Sequence, residues 1–355
     1  LMNLPMSKAN KNLLSKRFNE YKEEISTEPT RRKLNDHALL IDGLNTFIRA
    51  FSINPSLNED GSHVGGLVGF LKSVRFAVNK FKPTRCIIVF DGKGGSKPRQ
   101  KIYSQYKAGR KVRSRLNRNV DWATNPQDEH ESMKLQIGRL IEYLEHLPLT
   151  LLALDKLEAD DIISYVTNVT LKESKTTIMS TDKDFLQLVD EKTIVWSPTK
   201  KKIYNQKLVQ EELGLHPSNV LIYRILDGDT SDNIPGVRGC GIKTLLKRFP
   251  ELTEDRTISS DELLQLAEEK KGKIKLYDDI IKSKEQIIMN EKLMQLKDVD
   301  ISGSIKMKIV EKFDEKVKPL NKMEFMKVLL KYKVVNNMGD INDWLKTTFG
   351  NIVTD

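Results

Sequence analysis

Cysteine and histidine are scarce in this chain of 355 residues, which has two Cys and five His. Two thiols cannot build the disulfide framework of a small secreted domain. Cys86, in a predicted buried strand, and Cys240 are therefore expected to be free thiols in a reducing compartment. The chain also shows no Cys/His set at zinc-like spacing, so a structural zinc fold is not indicated.

Long apolar runs are missing as well. No stretch approaches the roughly 18 apolar residues of a membrane-spanning helix, and the N-terminal region has no apolar signal core. We therefore expect a soluble, cytoplasmic protein with no membrane partner. The length is sufficient for two domains with a sizeable core.

Acidic residues are missing from one internal stretch. The net charge is +10, and from Gly92 to Val120 there are ten Lys or Arg and no Asp or Glu. Because this stretch lies between two segments that have the pattern of ordered structure, we interpret it as a phosphate-binding surface rather than a disordered tail.

Alternating predicted strands and helices indicate an α/β fold with a mostly parallel sheet. Strands are predicted near residues 38–41, 86–90, 149–154 and 176–181, with a hairpin over 193–204. Helices are predicted near residues 64–80, 128–146, from 158, 207–213, 218–227, 322–330 and 341–349.

Carboxylates cluster where three of these strands end. Asp42 and Asp91 each follow an apolar run directly, and Asp182 and Asp184 follow a third run. Ligands of open α/β sheets gather at the carboxyl ends of the strands, where such acids would repel one another unless cations neutralised them. The full candidate metal set is Asp42, Asp91, Glu158, Asp160, Asp161, Asp182, Asp184, Asp229 and Asp232.

An all-oxygen donor set favours Mg²⁺, with Mn²⁺ as a substitute, over zinc. This many acids implies two ions, and two ions about 4 Å apart are the usual arrangement for in-line displacement at phosphorus. The chemistry indicated is phosphodiester hydrolysis. The competing interpretation is that single strand-end Asp residues only cap helices or form solvated turns.

A glycine-rich segment follows Asp229 and Asp232. Gly236, Gly239 and Gly241 are spaced for a tight turn whose backbone N–H groups can approach a phosphate, and Lys243 and Thr244 then open a helix. Alone, this pattern is more typical of an ordinary helix connection. Next to the acids it predicts a clamp for a nucleic-acid backbone.

Three regions are predicted along the chain. Residues 1–36 form a basic polar arm, 37–208 a catalytic domain with an arch over about 96–125, and 209–355 a helical domain that binds DNA. We expect a small helical subdomain at the end of the chain, with a core formed by Phe325, Val328, Leu329, Trp344 and Phe349.

The motifs resemble those of the flap-endonuclease and 5′-to-3′-exonuclease superfamily, whose members have a PIN-like α/β core. The resemblance covers about 60% of the chain, from residue 38 to 249. The matching pieces are Ile41-Asp42-Gly43, Phe90-Asp91-Gly92, Tyr106-Lys107-Ala108-Gly109-Arg110, Glu158-Ala159-Asp160-Asp161, Thr181-Asp182-Lys183-Asp184 and Gly228 to Val237.

The resemblance implies a role for each matching residue. Asp42, Asp91, Glu158 and Asp160 would hold the first metal and Asp182 and Asp184 the second, with Asp229 and Asp232 acting through water and Asp161 in support. Lys107 and Arg110 would face the scissile phosphate from a helical arch, Tyr106 could stack on a base, and Lys111 would contact nucleic acid. A helix-three-turn-helix motif over about residues 218–249 would bind duplex DNA, and K⁺ is a further candidate ion there.

The implied activity is a 5′-nuclease acting on DNA with a 5′ flap or nick and on RNA–DNA hybrids, which removes RNA primers and leaves 5′-phosphate and 3′-hydroxyl ends. Trp196-Ser197-Pro198 with Lys200–Lys202 is similar to phage-encoded members called ribonuclease H, which places the protein in a host cytoplasm. A monomer is expected, with a single-strand-binding protein or a sliding clamp as candidate partners.

Three alternatives stay open from the sequence. A PIN-type ribonuclease would prefer single-stranded RNA and would not need the glycine-rich clamp. A non-catalytic junction-binding protein would bind without turnover, although all nine carboxylates are present. A haloacid-dehalogenase-like phosphatase is weaker, because no Asp-X-Asp nucleophile follows the first strand.

Overall fold

The computed structural model describes residues 32–109, 115–125 and 127–354. Leu34–Asp355 form one compact unit. The predicted arm of residues 1–36 lies almost wholly outside the described residues. The predicted boundary at residue 208/209 stays a prediction.

Within the described ranges, one sheet of six strands is present in the order β3-β2-β1-β4-β5-β6. β1 to β5 run parallel, and β6 is antiparallel to β5. The strands are β1 (His37–Asp42), β2 (Arg85–Asp91), β3 (Thr150–Leu154), β4 (Lys175–Met179), β5 (Thr193–Ser197) and β6 (Lys202–Tyr204).

Helices cover both faces of this sheet. The helices up to the end of the sheet are α1 (Gly43–Ile53), α2 (Gly65–Phe81), α3 (Lys97–Ile102), α4 (Glu129–Leu144) and α5 (Ala159–Tyr165). Those after the sheet are α6 (Gln206–Leu213), α7 (Val220–Asp227), α8 (Ile242–Arg248), α9 (Ser260–Glu269), α10 (Lys275–Lys282), α11 (Lys284–Met294), α12 (Gly303–Asp314), α13 (Lys322–Lys331), α14 (Val335–Met338) and α15 (Ile341–Phe349).

Alternate residues of each strand face two separate hydrophobic cores. In β1, Ala38 and Leu40 belong to the core shared with α5 to α11, whereas Leu39 and Ile41 belong to the core shared with α1, α2 and α4. Both sets are fully buried. Burial on both faces explains why the strand sequences are continuously apolar rather than alternating.

The last helices do not form the separate core expected from the sequence. Phe325 and Trp344 are buried in the same cluster as α2 and α4, and their rings stack with centroids 5.7 Å apart. The Tyr143 hydroxyl in α4 also donates to the Val328 carbonyl oxygen. The expectation of an independent subdomain is therefore wrong, because the apolar face of α13 and α15 completes the helical layer on the sheet.

The predicted α/β class with a mostly parallel sheet is confirmed. Each strand and helix named from the sequence is present within about two residues of its predicted bounds. Cys86 and Cys240 are buried free thiols in the two different cores. Across the described ranges, no helix is long and apolar enough to cross a bilayer.

We predict that Trp344→Ala destabilises the whole fold by roughly 3–5 kcal/mol, because it removes a fully buried aromatic side chain from the shared core. Chemical denaturation monitored by circular dichroism checks this. Met323→Ala in α13, where the Met323 side chain is 69% exposed, is the control and should change little. Two separate unfolding transitions in the wild type would contradict the shared core.

Candidate active site

Three neighbouring strands bring acidic residues to one edge of the sheet. Asp42 and Asp91 are the last residues of β1 and β2, which are hydrogen-bonded neighbours. Asp182 follows β4, which flanks β1 on its other side. Since parallel strands end at the same edge, these carboxylates meet where the sequence predicts a ligand site.

This edge opens into a cleft of about 750 Å³. Six of the nine predicted metal ligands line it, together with Asn45, Arg49, Lys107, Thr181 and Lys183. The other three, Glu158, Asp161 and Asp184, lie behind the wall in ion pairs. The six predicted ligands in the lining are Asp42, Asp91, Asp160, Asp182, Asp229 and Asp232, and Asp227 is a seventh lining acid.

The helix-capping interpretation and the site interpretation apply to the same carboxylates. Asp42 caps α1 by accepting from the Asn45 backbone N–H at 3.1 Å, and its other oxygen accepts from the Ser180 hydroxyl at 3.0 Å. Asp91 accepts from the Ala159 N–H at 2.7 Å. These bonds fix the direction of each carboxylate at the cleft wall.

Glu158 is held by four donors. Its Oε1 accepts from Lys107 Nζ at 2.7 Å and Ser96 Oγ at 2.5 Å, and its Oε2 accepts from Arg99 at 3.0 Å and the Tyr106 hydroxyl at 2.8 Å. Burial alone raises the pKa of Glu158, but Lys107 and Arg99 lower it below the usual value. Glu158 was predicted to bind the first metal ion, but in this arrangement both of its carboxylate oxygens already accept hydrogen bonds from protein donors.

Arg99 joins Glu158 to Asp161. Arg99 Nη1 and Nη2 donate to the two Asp161 oxygens at 2.8 and 2.7 Å, and its Nε donates to the Leu293 carbonyl at 2.8 Å. Burial alone lowers the pKa of Arg99, but Asp161, Tyr106 and Glu158 raise it above the usual value. The guanidinium is therefore a permanent internal cation behind the cleft.

Arg224 has the same role on the other side of the cleft. It lies in α7, within a run from Val220 to Leu226 that has no other charge, and pairs through Nε with Asp184 and through Nη2 with Asp229 at 2.7 Å. The pKa of Asp229 is lowered, since Ser231 and Arg224 outweigh burial. The pKa of Asp184 is nevertheless raised to about 7, by burial first and then by the charge of Asp182.

Three acids at the centre of the cleft have no direct ion pair of this kind. Within the described ranges, no Lys, Arg or His forms an ion pair with Asp42, Asp160 or Asp182. Burial raises all three pKa values, that of Asp42 to about 7, and the Asp182 charge raises those of Asp42 and Asp160 further. A cation in the cleft would relieve this repulsion.

The donor chemistry fits hard divalent ions such as Mg²⁺, because all lining acids offer oxygen. The carboxylates are not arranged as a complete metal-binding site. In the described part of the chain, no three Asp, Glu, His or Cys side chains converge as a metal-ligand set. An ion bound here would have to draw Asp42, Asp91, Asp160 and Asp182 together.

Tyr106 is not placed for the predicted base stacking. Its side chain is only 3% exposed, packed with Ile234 and Leu293, while its hydroxyl donates to Glu158. The prediction of base stacking is therefore wrong, because no face of the Tyr106 ring is open to a base. Tyr106 instead orients Glu158 through its hydroxyl. Lys107 does line the cleft.

The pKa of Lys107 is raised. Burial alone lowers it, but Glu158, Asp160 and Asp232 raise it above the usual value. Its ammonium therefore stays charged at the cleft wall. Arg110 and Lys111, predicted beside Lys107 in the arch, lie outside the described residues, as does part of the arch itself.

The glycine-rich turn connects α7 to α8. A Cβ on Gly236 would lie 2.1 Å from the Asp227 carbonyl oxygen, so only glycine fits there. Gly239 is left-handed, with φ +83, and no atom would lie within 4 Å of a Cβ on Gly241. Lys243 and Thr244 are exposed in the first turn of α8, so backbone and side-chain donors here are accessible to a ligand.

Two internal cations were not predicted from the sequence. Arg99 was one of ten basic residues in its stretch, and nothing local distinguished it. Arg224 carried a signal, since it is the only charge in the run from Val220 to Leu226. Asn45, which contacts Thr181 across the cleft entrance at 2.8 Å, was also missed.

Comparison with known proteins gives matches over most of the chain. Residues 37–214 match the family model described as "5′-3′ exonuclease, N-terminal resolvase-like domain". The chain is 33% identical to a 5′-3′ exonuclease of Aquifex aeolicus over 215 residues, which are 59% of this chain and 68% of that protein. It is 31% identical to DNA polymerase I of Bacillus subtilis over 285 residues, which are 77% of this chain but 29% of that protein.

Solved structures share the fold. A bacteriophage T5 flap endonuclease in complex with DNA and metal ions has a TM-score of 0.57 and 20% identity, and the match covers 84% of this chain and 99% of that one. A T5 5′-exonuclease with bound zinc has a TM-score of 0.57 and 18% identity, covering 83% and 98%. The likeness confirms the predicted PIN-like core.

We predict that the contribution of Asp42 to the stability of the metal-free protein falls as pH rises from 3.8 to about 7, the unfolded and folded pKa values of this residue. The folded state binds more protons than the unfolded state in this window, so deprotonation favours unfolding. Asp160→Asn should raise the Tm at pH 8 in EDTA and should weaken the stabilisation by Mg²⁺. Asp314→Asn, at an exposed position in α12, is the control. A lower Tm for Asp160→Asn in EDTA would contradict the predicted repulsion.

We predict that Arg224→Met destabilises the protein by roughly 3–5 kcal/mol, because Asp184 and Asp229 lose their shared cation. Denaturant unfolding measures the change. The control is Arg256→Met, since exposed Arg256 also pairs with two carboxylates, those of Glu254 and Glu262, but in solvent. Equal effects of the two substitutions would contradict a special role for Arg224.

Proposed function

The chain belongs to the 5′-3′ exonuclease family, and from this premise we propose that it is a structure-specific, metal-dependent 5′-nuclease. Its substrates are DNA with a 5′ flap, nick or free 5′ end and RNA on DNA, cut by hydrolysis of phosphodiester bonds. The products carry a 5′-phosphate and a 3′-hydroxyl.

The observation that carries the proposal is the cleft lined by seven carboxylates, six of them predicted metal ligands, and by Lys107. Carboxylates alone would repel a phosphodiester, so a polyanionic substrate needs cations in this cleft. Two divalent ions held by Asp42, Asp91, Asp160 and Asp182, with Asp184, Asp229 and Asp232 nearby, would activate water and stabilise the leaving oxygen. Mg²⁺ is the expected ion, with Mn²⁺ as a substitute.

Lys107 is proposed to bind the substrate phosphate in this reaction. Its ammonium lies 2.7 Å from Glu158 and 4.0 Å from Asp232, at the boundary between the acids and the cleft. A substrate phosphate would compete for it, and the ammonium would then stabilise the charge that develops on the phosphate oxygens. Arg110 is proposed to assist from the arch.

The turn between α7 and α8 is proposed to hold the duplex beside the cleft. Exposed Gly239, Gly241, Lys243 and Thr244 offer N–H groups, an ammonium and a hydroxyl to successive phosphates. Such contacts fix the position of a duplex without reading its sequence. The helix-three-turn-helix assignment over about residues 218–249, Lys111 as a nucleic-acid contact, and K⁺ binding in the turn belong to this proposal.

The wider role is proposed from the same activity. Cleavage of RNA annealed to DNA would remove replication primers, as in the phage-type ribonuclease H that the sequence resembles. A cytoplasmic monomer that meets a single-strand-binding protein or a sliding clamp would fit this role.

We predict that wild type cuts a labelled 5′-flap duplex and an RNA–DNA hybrid in Mg²⁺ but not in EDTA. Asp182→Ala should lower the single-turnover rate by at least about 100-fold, because it removes a central cleft carboxylate. Gel separation of the products, with and without phosphatase treatment, tests the expected 5′-phosphate ends.

Asp261→Ala, at an exposed position in α9, is the matched control and should cut like wild type. Tight junction binding by wild type without cutting would replace the proposal with a binding function. A strong preference for unstructured RNA would replace it with a PIN-type ribonuclease.

A further inference from the structure

Asn233 lies in the loop between the paired residues Asp229 and Ile234, next to the acids of the cleft. It is exposed and does not line the cleft. Its backbone is left-handed, with φ 59. Asn is one of the few residue types that tolerate this conformation, although Gly would adopt it more easily.

The Asn233 side chain connects this loop to the segment that contains Lys107. Its Nδ2 donates to the carbonyl oxygens of Gln105 at 2.9 Å and Ala108 at 2.7 Å. A third bond runs between the loops in the other direction, from the Lys107 backbone N–H to the Asp232 carbonyl at 3.0 Å. One amide group thus holds the chain on both sides of Lys107.

These three hydrogen bonds support the backbone of Lys107. Lys107 is also left-handed, with φ 53. This conformation costs free energy in a residue other than glycine, and the bonds from Asn233 and to Asp232 hold the backbone on both sides of Lys107. Tyr106 packs on Ile234 in the same small cluster and so adds an apolar contact between the loops.

We propose that Asn233 is a positioning residue for Lys107, because it ties residues 105–108 to the loop that carries Asp229 and Asp232. This inference rests on the proposed nuclease function. When a phosphate displaces Glu158 from Lys107, the ammonium can stay over the cleft only if its backbone is fixed. Without the Asn233 amide, Lys107 samples many positions, and few of them stabilise the transition state.

The test is Asn233→Gly, because glycine keeps the left-handed backbone and removes only the amide. We expect the single-turnover rate on a 5′-flap duplex with excess enzyme to fall about tenfold or more, since small misplacements of a catalytic group have effects of this size. The Kd for the same duplex in EDTA should change less than about twofold, because the contacts in the α7–α8 turn remain. Lys82→Gly, at an exposed left-handed position after α2, is the control and should cut like wild type.

A double-mutant cycle separates positioning from general support. If Asn233 acts through Lys107, Asn233→Gly should cause little further loss in a Lys107→Ala background. Multiplicative losses, or an Asn233→Gly variant as fast as wild type, would overturn the proposal while leaving the nuclease function in place. A wild type that cuts no substrate would overturn the nuclease function and this inference with it.

Discussion

Repulsion among carboxylates at one edge of the sheet is the constraint on which the rest of this structure depends. Parallel strands bring Asp42 and Asp91 to a common edge, and α5 and the segment after β4 add more acids. Arg99, Lys107 and Arg224 neutralise the acids behind the cleft wall, among them Glu158 and Asp184. The central acids keep raised pKa values. Their mutual repulsion favours divalent cations in the cleft.

The internal cations also connect the site to elements far away in sequence. Arg99 binds Glu158 and Asp161 and donates to the Leu293 carbonyl in α11, so helices after the sheet support the site from behind. Arg224 connects α7 to the segment after β4 through its hydrogen bond to Asp184. The residues that neutralise the acids therefore also fix the α7–α8 turn relative to the cleft, an arrangement that the proposed binding of a duplex beside the cleft would use.

Local sequence patterns predicted the sheet, about half of the described helices and the edge where the acids gather, because strand ends and helix starts are set by short-range periodicity. They did not predict which acids face the cleft. Glu158 and Asp184 have the same local signals as Asp42, but their directions depend on Arg99 and Arg224, whose partners lie about 40 to 60 residues away. The docking of α13 and α15 onto α2 and α4 was missed for the same reason, since an amphipathic helix does not reveal which surface it covers.

Metal binding at this edge of the sheet is tested most directly by a crystal structure with Mn²⁺, in which anomalous scattering locates the ions. We expect peaks in the cleft coordinated by Asp42, Asp91, Asp160 and Asp182, with these side chains closer together than in the metal-free arrangement. The contradicting result requires an enzyme that cleaves its substrate in Mn²⁺. If such an enzyme showed Mn²⁺ peaks only at the protein surface and unmoved carboxylates in the cleft, the four acids would not hold the catalytic ions.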